Sequence, residues 1–172
     1  DASSGAIVSF NPDGSINLET GVVEIGTGTK TVLAQMLAEK MMMSVDRVHV
    51  KITVDTSITP EHWKTVASRG TFLAGRAVLK AADDAIRQLL DIAACLLRAD
   101  PDDLALGPDF VYVRADPAVR IPVTAICYGF RFPNGNTIGG QIIGRGSYTQ
   151  RRMNPMNPAT GEGTPGPEWN VG

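Results

Sequence analysis

Cysteine, histidine and unbroken apolar runs are all scarce in this chain of 172 residues. Two cysteines, Cys95 and Cys127, cannot build a disulfide framework, and neither belongs to a C-x-x-C pair, so zinc ribbons and dithiol redox chemistry are excluded. A reducing, cytoplasmic setting is the expectation. The longest apolar stretches, such as Met41 to Met43 and Ile92 to Leu97, fall far short of the ~20 residues that cross a bilayer, so no membrane association is expected. Sixteen basic residues against 18 acidic ones give a net charge of −2, which offers no field for a nucleic-acid partner. No basic stretch followed by an apolar core precedes the body of the chain, and no repeats interrupt it. The chain opens on Asp1 and stops at Gly172 without a cap, which reads as an internal piece of a longer polypeptide.

With 43% hydrophobic and 20% charged residues, the chain has the composition of an ordinary globular domain. Asn11-Pro12-Asp13-Gly14 separates two alternating runs, Ala6 to Phe10 and Ser15 to Glu19, and predicts a β-hairpin. Val22 to Ile25 is β-branched and reads as a further strand. Leu33, Met36, Leu37 and Met41 then fall at helical spacing and predict a helix over about 30–43. Val48, Val50, Ile52 and Val54 alternate with polar residues as in a half-buried strand, with His49 on the polar face.

A loop from Asp55 to Ser68 leads into a long amphipathic helix over about 70–98, with a stripe of Leu79, Ala82, Ile86, Leu89, Leu90, Ala93 and Leu97. Asp100-Pro101 ends it. Phe110 to Arg114 reads as a short strand, Pro122 to Tyr128 as a short helix, and Thr137 to Tyr148 as extended. From Pro133 onward nine Gly and five Pro accompany only five charged residues, a turn-rich segment that would lie against another protein surface. The reading is an α+β fold: a mixed sheet with one long and one shorter helix over 1–132, and a Gly/Pro-rich extended segment of the same domain over 133–172.

Two places have the chemistry of a ligand corner. Glu24-Ile25-Gly26-Thr27-Gly28-Thr29 joins a predicted strand to a predicted helix, where amides and the helix dipole favour an anion or a polar ligand edge, although a plain strand-to-helix connection with no ligand would read the same way. It is not a dinucleotide fingerprint, because Thr31 stands where G-x-G-x-x-G requires glycine. Thr65-Val66-Ala67-Ser68-Arg69-Gly70-Thr71 feeds the long helix in the same way, although Ser68 or Thr71 could equally cap that helix and Arg69 could be solvated. Two such corners in one small domain could grip a common phosphate-bearing ligand. His49 and His62 lack carboxylates at metal-ligand spacing and read as surface residues. A triad of Ser68, His62 and Asp55 would crowd one loop without a nucleophile elbow. Asp83-Asp84 and Asp102-Asp103 read as solvated pairs.

Taken together, Thr20 to Glu39, then Val54-Asp55-Thr56 with Pro60, Ala67 to Thr71 and Gly75-Arg76-Ala77-Val78 resemble, in order, the molybdenum-cofactor-binding subunit of the xanthine dehydrogenase and aldehyde oxidase family. Asn157 to Gly163 resembles that family's segment leading to its later strands. The resemblance implies a fragment of a molybdopterin-dependent hydroxylase of aldehydes or N-heterocycles. Its cofactor would be molybdenum-molybdopterin, as a mononucleotide or a dinucleotide such as the cytosine form. FAD and 2Fe-2S clusters are expected on partner subunits or domains, alongside the rest of the molybdopterin subunit. Ile25, Gly26, Thr27 and Gly28 match the pterin loop, with Thr27 where the family usually carries a longer glutamine, and Ala67, Ser68, Arg69, Gly70 and Thr71 match the stretch around the pyrophosphate. No residue matches the family's catalytic glutamate; Glu162 aligns with an earlier loop. No protein ligand to the metal is expected, and the isolated chain is expected to be inactive. A stand-alone binding or assembly module that kept this architecture without a cofactor is the competing reading.

Overall fold

Pro12 and Gly14 turn the chain back on itself as expected, with Gly14 at φ +79° and the Gly14 amide donating to the Asn11 carbonyl at 2.9 Å. The computed structural model describes residues 2–51, 53–151 and 154–164. Flanking that turn, β1 (Ser3–Phe10) and β2 (Ile16–Thr20) pair antiparallel. Their alternation is strict: Ala6, Val8 and Phe10 on β1 and Ile16 and Leu18 on β2 are fully buried, while the intervening residues lie on a half-exposed face.

The sheet has four strands in the order β3 (Val48–Val50), β2, β1 and β9 (Ile143–Thr149). β3 (Val48–Val50) runs parallel to β2 and is shorter than its alternating pattern predicts; Ile52 lies outside the described residues. His49 is exposed on it, as expected. β9 (Ile143–Thr149) comes from the Gly/Pro-rich end of the chain and pairs antiparallel with β1, from Ser9 opposite Ile143 to Ser3 opposite Thr149. The 22–25 run is a correction. It forms no strand, and only Val22 is buried, while Val23 and Ile25 are exposed. The position it would take beside β1 is filled by the later loop: the Gly5 amide donates to the Glu61 carbonyl at 3.0 Å and the Trp63 amide to the Ser3 carbonyl at 2.9 Å. Pro60 seals this contact, since a Cβ on Gly21 would sit 2.5 Å from its carbonyl oxygen.

Helix α1 (Thr29–Lys40) ends one turn before the predicted boundary. Helix α2 (Gly75–Leu97) is preceded by one π-helical turn, Gly70–Ala74, so the helical run starts at Gly70 as predicted. Its buried line is rotated from the predicted stripe: Ala77, Ala81, Ala82, Ala85, Leu89 and Ala93 are fully buried, whereas Leu79, Ile86, Leu90 and Leu97 are only half-buried. The reason is on β9. Gly144 and Gly146 face the alanine line, and a Cβ on either would overlap the backbone carbonyl of Ala81 or Ala77. Small residues on both sides let helix and strand backbones touch, and Leu79, Ile86, Leu90 and Leu97 are displaced to the flanks, while Ala82, Leu89 and Ala93 of the predicted stripe stay buried.

A second sheet, β4 (Leu104–Gly107), β5 (Phe110–Val113) and β6 (Asp116–Pro122), packs against the far end of α2. Only β5 was legible in the sequence. The helix predicted at 122–128 is a single 3₁₀ turn, Val123–Ala125. The predicted 137–148 stretch divides into β8 (Thr137–Ile138), paired with β7 (Phe130–Arg131), and β9. The fold is α+β. Among the described residues no helix is long and apolar enough to cross a membrane.

Candidate functional site

The starts of the two helical runs abut. Gly70 is buried against Thr29, so closely that a Cβ there would lie 3.1 Å from Thr29 Cγ2, and Gly75 packs on Met36 in the same way. Because α1 and α2 meet at their N-termini, the loops that feed them converge on one cleft of about 550 Å³. Ile25, Thr27 and Thr29 line it from one side, and Thr65 to Ser68 with Gly70 to Phe72 from the other. Five of these residues carry hydroxyls, and none carries a charge. Among the described residues no cluster of metal-ligating side chains occurs.

The two corners differ in how their amides are used. At the first, Glu24 folds back over the helix start: its Oε1 accepts from the amides of Gly26 and Gly28, both at 2.9 Å, and its Oε2 from the amide of Lys30 at 3.2 Å. Gly26 at φ +94° and Gly28 at φ +68° make this wrap sterically open to them. The Glu24 carboxyl is held below its ordinary value, chiefly by the Lys30 amide and then by those of Gly28 and Gly26. Beneath it the buried Lys30 ammonium donates to the Lys51 carbonyl at 2.7 Å, its pKa pushed down by burial against the opposing pull of Glu24. Thr27 Oγ1 lies 2.7 Å from Thr29 Oγ1.

At the second corner the chain approaches through two residues in left-handed geometry, Lys64 at φ +57° and Ala67 at φ +49°. Ser68 and Thr71 are exposed, and the Arg69 side chain of the N-cap makes no capping bond to the helix start. A π-helical turn at this position is of the kind often found beside ligand sites.

Of the nine residues singled out in the sequence, Ile25, Thr27, Ala67, Ser68, Gly70 and Thr71 line the one cleft. Gly26 and Gly28 are not among its lining residues; they alternate in the chain with Ile25, Thr27 and Thr29, which are, and open space lies where their Cβ atoms would stand. Arg69 leaves the cleft and stacks its guanidinium 4.3 Å from the Trp63 ring centroid. Thr29, Thr65 and Val66 lie in the two loop segments read from the sequence but carry no binding role in that reading, and Phe72 lies outside both; all four line the cleft. Sequence reasoning also gave no role to Glu24, although a carboxylate shortly before a helix start is a readable capping signal. His62, expected on the surface, is half-buried instead: Nδ1 lies 3.0 Å from Ser4 Oγ, Nε2 is buried without a partner among the described residues, and burial followed by the charge of Arg69 lowers its pKa. The bridge between Ser4 and His62 that covers the end of β1 draws it in. Asp55 accepts from Ser57 rather than from His62, so no triad forms.

The whole chain, residues 1–172, matches the family model of the molybdopterin cofactor-binding domain. The chain belongs to that family. The xanthine dehydrogenase molybdenum-binding subunit of Escherichia coli O157:H7 is 37% identical over 102 residues, which are 59% of this chain and 14% of that protein. The 6-hydroxypseudooxynicotine dehydrogenase complex subunit gamma of Paenarthrobacter nicotinovorans is 37% identical over 93 residues, 54% of this chain and 12% of that protein. This molybdopterin cofactor-binding domain therefore spans only a small part of the curated relatives it matches. Its fold recurs in a reconstituted CO dehydrogenase from Oligotropha carboxidovorans, at a TM-score of 0.74 and 23% identity, covering 86% of this chain and 18% of that one. Quinoline 2-oxidoreductase from Pseudomonas putida 86 shares it at a TM-score of 0.65 and 23% identity, over 87% of this chain and 19% of that one.

The Glu24 wrap carries a direct expectation. A carboxyl held below its ordinary 4.5 in the folded state stabilises the fold above that pH, and the contribution is lost as the pH falls through the lowered value. Replacing Glu24 with Gln should keep an acceptor for the amides but flatten this acid dependence. Thermal melts of wild type and Glu24→Gln across the range below 4.5 should diverge at the upper end and meet at the lower. Parallel curves would show that the carboxylate does not stabilise the corner.

Proposed function

We propose that the cleft between the two helix starts holds the pterin and pyrophosphate of a molybdenum cofactor, and that the domain serves as part of a molybdopterin-dependent hydroxylase of aldehydes or N-heterocycles. The observation that carries this is the single cleft shared by both predicted corners. The residues present fit such a group unevenly, and the unevenness is informative. Hydroxyls of Thr27, Thr29, Thr65, Ser68 and Thr71 suit the polar edge of a pterin and phosphate oxygens alike. The amides of Gly26, Gly28 and Lys30 are engaged by Glu24, and an added anion there would meet that carboxylate. The phosphates therefore belong at Ser68 to Thr71, where no side chain caps the helix, and the uncharged pterin edge belongs near Thr27.

When bound, the cofactor supplies the metal-centred oxidation, with electrons leaving to 2Fe-2S and FAD groups on partner subunits or domains. This chain's own residues bind and orient. Among the described residues no carboxylate or imidazole lines the cleft, so the general base is expected from elsewhere in the protein, and the isolated chain is expected to be inactive. Both cysteines are free, Cys95 exposed and Cys127 buried, as suits a reducing cytoplasmic site. The competing reading, a module that kept the fold and binds no cofactor, draws on Glu24, which satisfies the first corner without any ligand. Mass spectrometry of the pterin released from the purified full-length protein tests both. A molybdopterin species, in mononucleotide or dinucleotide form, is expected; its absence from protein made in a cofactor-competent host leaves the module reading standing.

A further inference from the structure

Strand β9 is the outer strand of the four-stranded sheet. Its register with β1 places Gly144, Gly146 and Tyr148 opposite Val8, Ala6 and Ser4. The flanking bonds, from the Gln150 amide to the Ala2 carbonyl and from the Phe10 amide to the Ile142 carbonyl, show that even-numbered residues of this strand bond inward. The odd-numbered ones, Ile143, Arg145, Ser147 and Thr149, turn their backbone groups to the free edge.

That edge is treated differently along its length. At its first half α2 supplies side chains to close it. The Arg145 amide donates to Asp84 Oδ2 at 3.0 Å, the Gln88 amide nitrogen donates to the Ile143 carbonyl at 2.9 Å, and the Ile143 amide donates to Gln88 Oε1 at 3.4 Å. At its second half, among the described residues, nothing pairs with the backbone of Ser147 or Thr149. There the edge opens on a second cleft of about 440 Å³, bordered by Lys80, Ser147, Tyr148, Thr149 and Arg151. Two cations stack on Tyr148, Arg76 at 5.2 Å and Lys80 at 5.6 Å from the ring centroid. Arg76, Lys80 and Arg151 are all exposed, and none pairs with a carboxylate among the described residues. The nearby acids are spoken for: Asp83 pairs with Lys40, and Asp84 with Arg87 and the Arg145 amide.

We propose that the outer end of β9, Ser147 to Thr149, is a strand-addition site that receives an extended, carboxylate-bearing segment from elsewhere in the same subunit. An open edge with free amides and carbonyls invites pairing, and a protein that closes half of it with dedicated side chains leaves the other half for a partner strand. The unpaired cations select acidic side chains on that strand. The source follows from length: the curated relatives extend far beyond the region this chain matches, of which it is 12% and 14%. The inference is independent of the cofactor, because it concerns a different edge of the molecule.

Hydrogen–deuterium exchange on the intact holoenzyme tests the pairing. The amides of Ser147 and Thr149 should exchange about a hundredfold or more slower than unprotected amides. In the Lys80→Gln/Arg151→Gln double variant they should quicken about tenfold while the Arg145 amide, held by Asp84, stays slow. If the variant fails to fold, raising the salt concentration on wild type should produce the same selective quickening. Fast exchange in wild type, or slow exchange indifferent to both charge removal and salt, overturns the proposal. The source is read by carbodiimide coupling of Lys80 to neighbouring carboxylates and sequencing of the joined peptides. A peptide of the same subunit, other than α2's own, is expected. A peptide of a different subunit, or of a second isotope-labelled copy, refutes the assignment.

Discussion

Gly146→Val in the full-length protein should lower the melting temperature steeply, because its Cβ would overlap the Ala77 carbonyl where the backbones of α2 and β9 come together. Neither partner can yield: one side is helix backbone, the other a strand paired along its length with β1. Forcing such atoms apart costs about 3 kcal/mol or more, a large part of the 5–15 kcal/mol typical of a whole domain. At roughly 2–4 °C per kcal/mol for a domain of this size, the melt should fall by about 10 °C. Gly144→Val should behave alike, since its Cβ would overlap the Ala81 carbonyl and stand 2.8 Å from the Ala85 amide nitrogen. Gly140→Val is the control: open space surrounds that position, and its melt should stay within the equivalent of about 0.5 kcal/mol of wild type. Wild-type melting in Gly146→Val would mean that helix and strand are not in backbone contact.

The second large effect concerns metal content. Ser68→Leu combined with Thr71→Leu should cut molybdenum per protein about tenfold. Two hydroxyl contacts at roughly 0.5–1.5 kcal/mol each sum to about 1–3 kcal/mol, a range that brackets the 1.4 kcal/mol of a factor of ten. Both residues are exposed, so the cofactor-free forms should melt alike, which separates a binding defect from a folding one. Elemental analysis of wild type and variant, purified side by side, reads the result. Equal loading would remove the phosphate-cradle role. Gly70 is unsuitable for this purpose: it is buried on Thr29, and any side chain there tests packing first.

The parts of the fold that the sequence discloses are those fixed by local pattern. The Asn11 to Gly14 turn sets the hairpin, and the start of the long helix at Gly70 is correct to the residue. What stays hidden depends on partners distant in the chain. The Val22 to Ile25 run has the composition of a strand but loses its place to residues 60–63, a competition no local window contains. The buried line of α2 is set by two glycines on β9, some 60 residues away, which favour alanine over leucine at the contact. β4 and β6 carry weak alternation, and β6 is almost wholly exposed, so burial left no mark on its sequence. The same division holds at the cleft. Residue types at 25–28 and 67–71 point to a ligand corner, but that the two corners face each other is a fact of packing. That Glu24 already satisfies one of them is a fact of geometry.

The backbone contact between α2 and β9 also decides which wall of the cleft can adapt. Where Gly144 and Gly146 bring the strand backbone onto the Ala77 and Ala81 carbonyls, little is left to slide or tilt, so α2 and the sheet form one stiff plate, and the Gly70 to Phe72 wall rides on it. Compliance is left to the 24–29 loop, hinged on Gly26 and Gly28, and to the approach through Lys64 and Ala67. A guest that is too long or too short must be accommodated by those two lips alone, so selection for its length falls on a handful of residues outside every regular element.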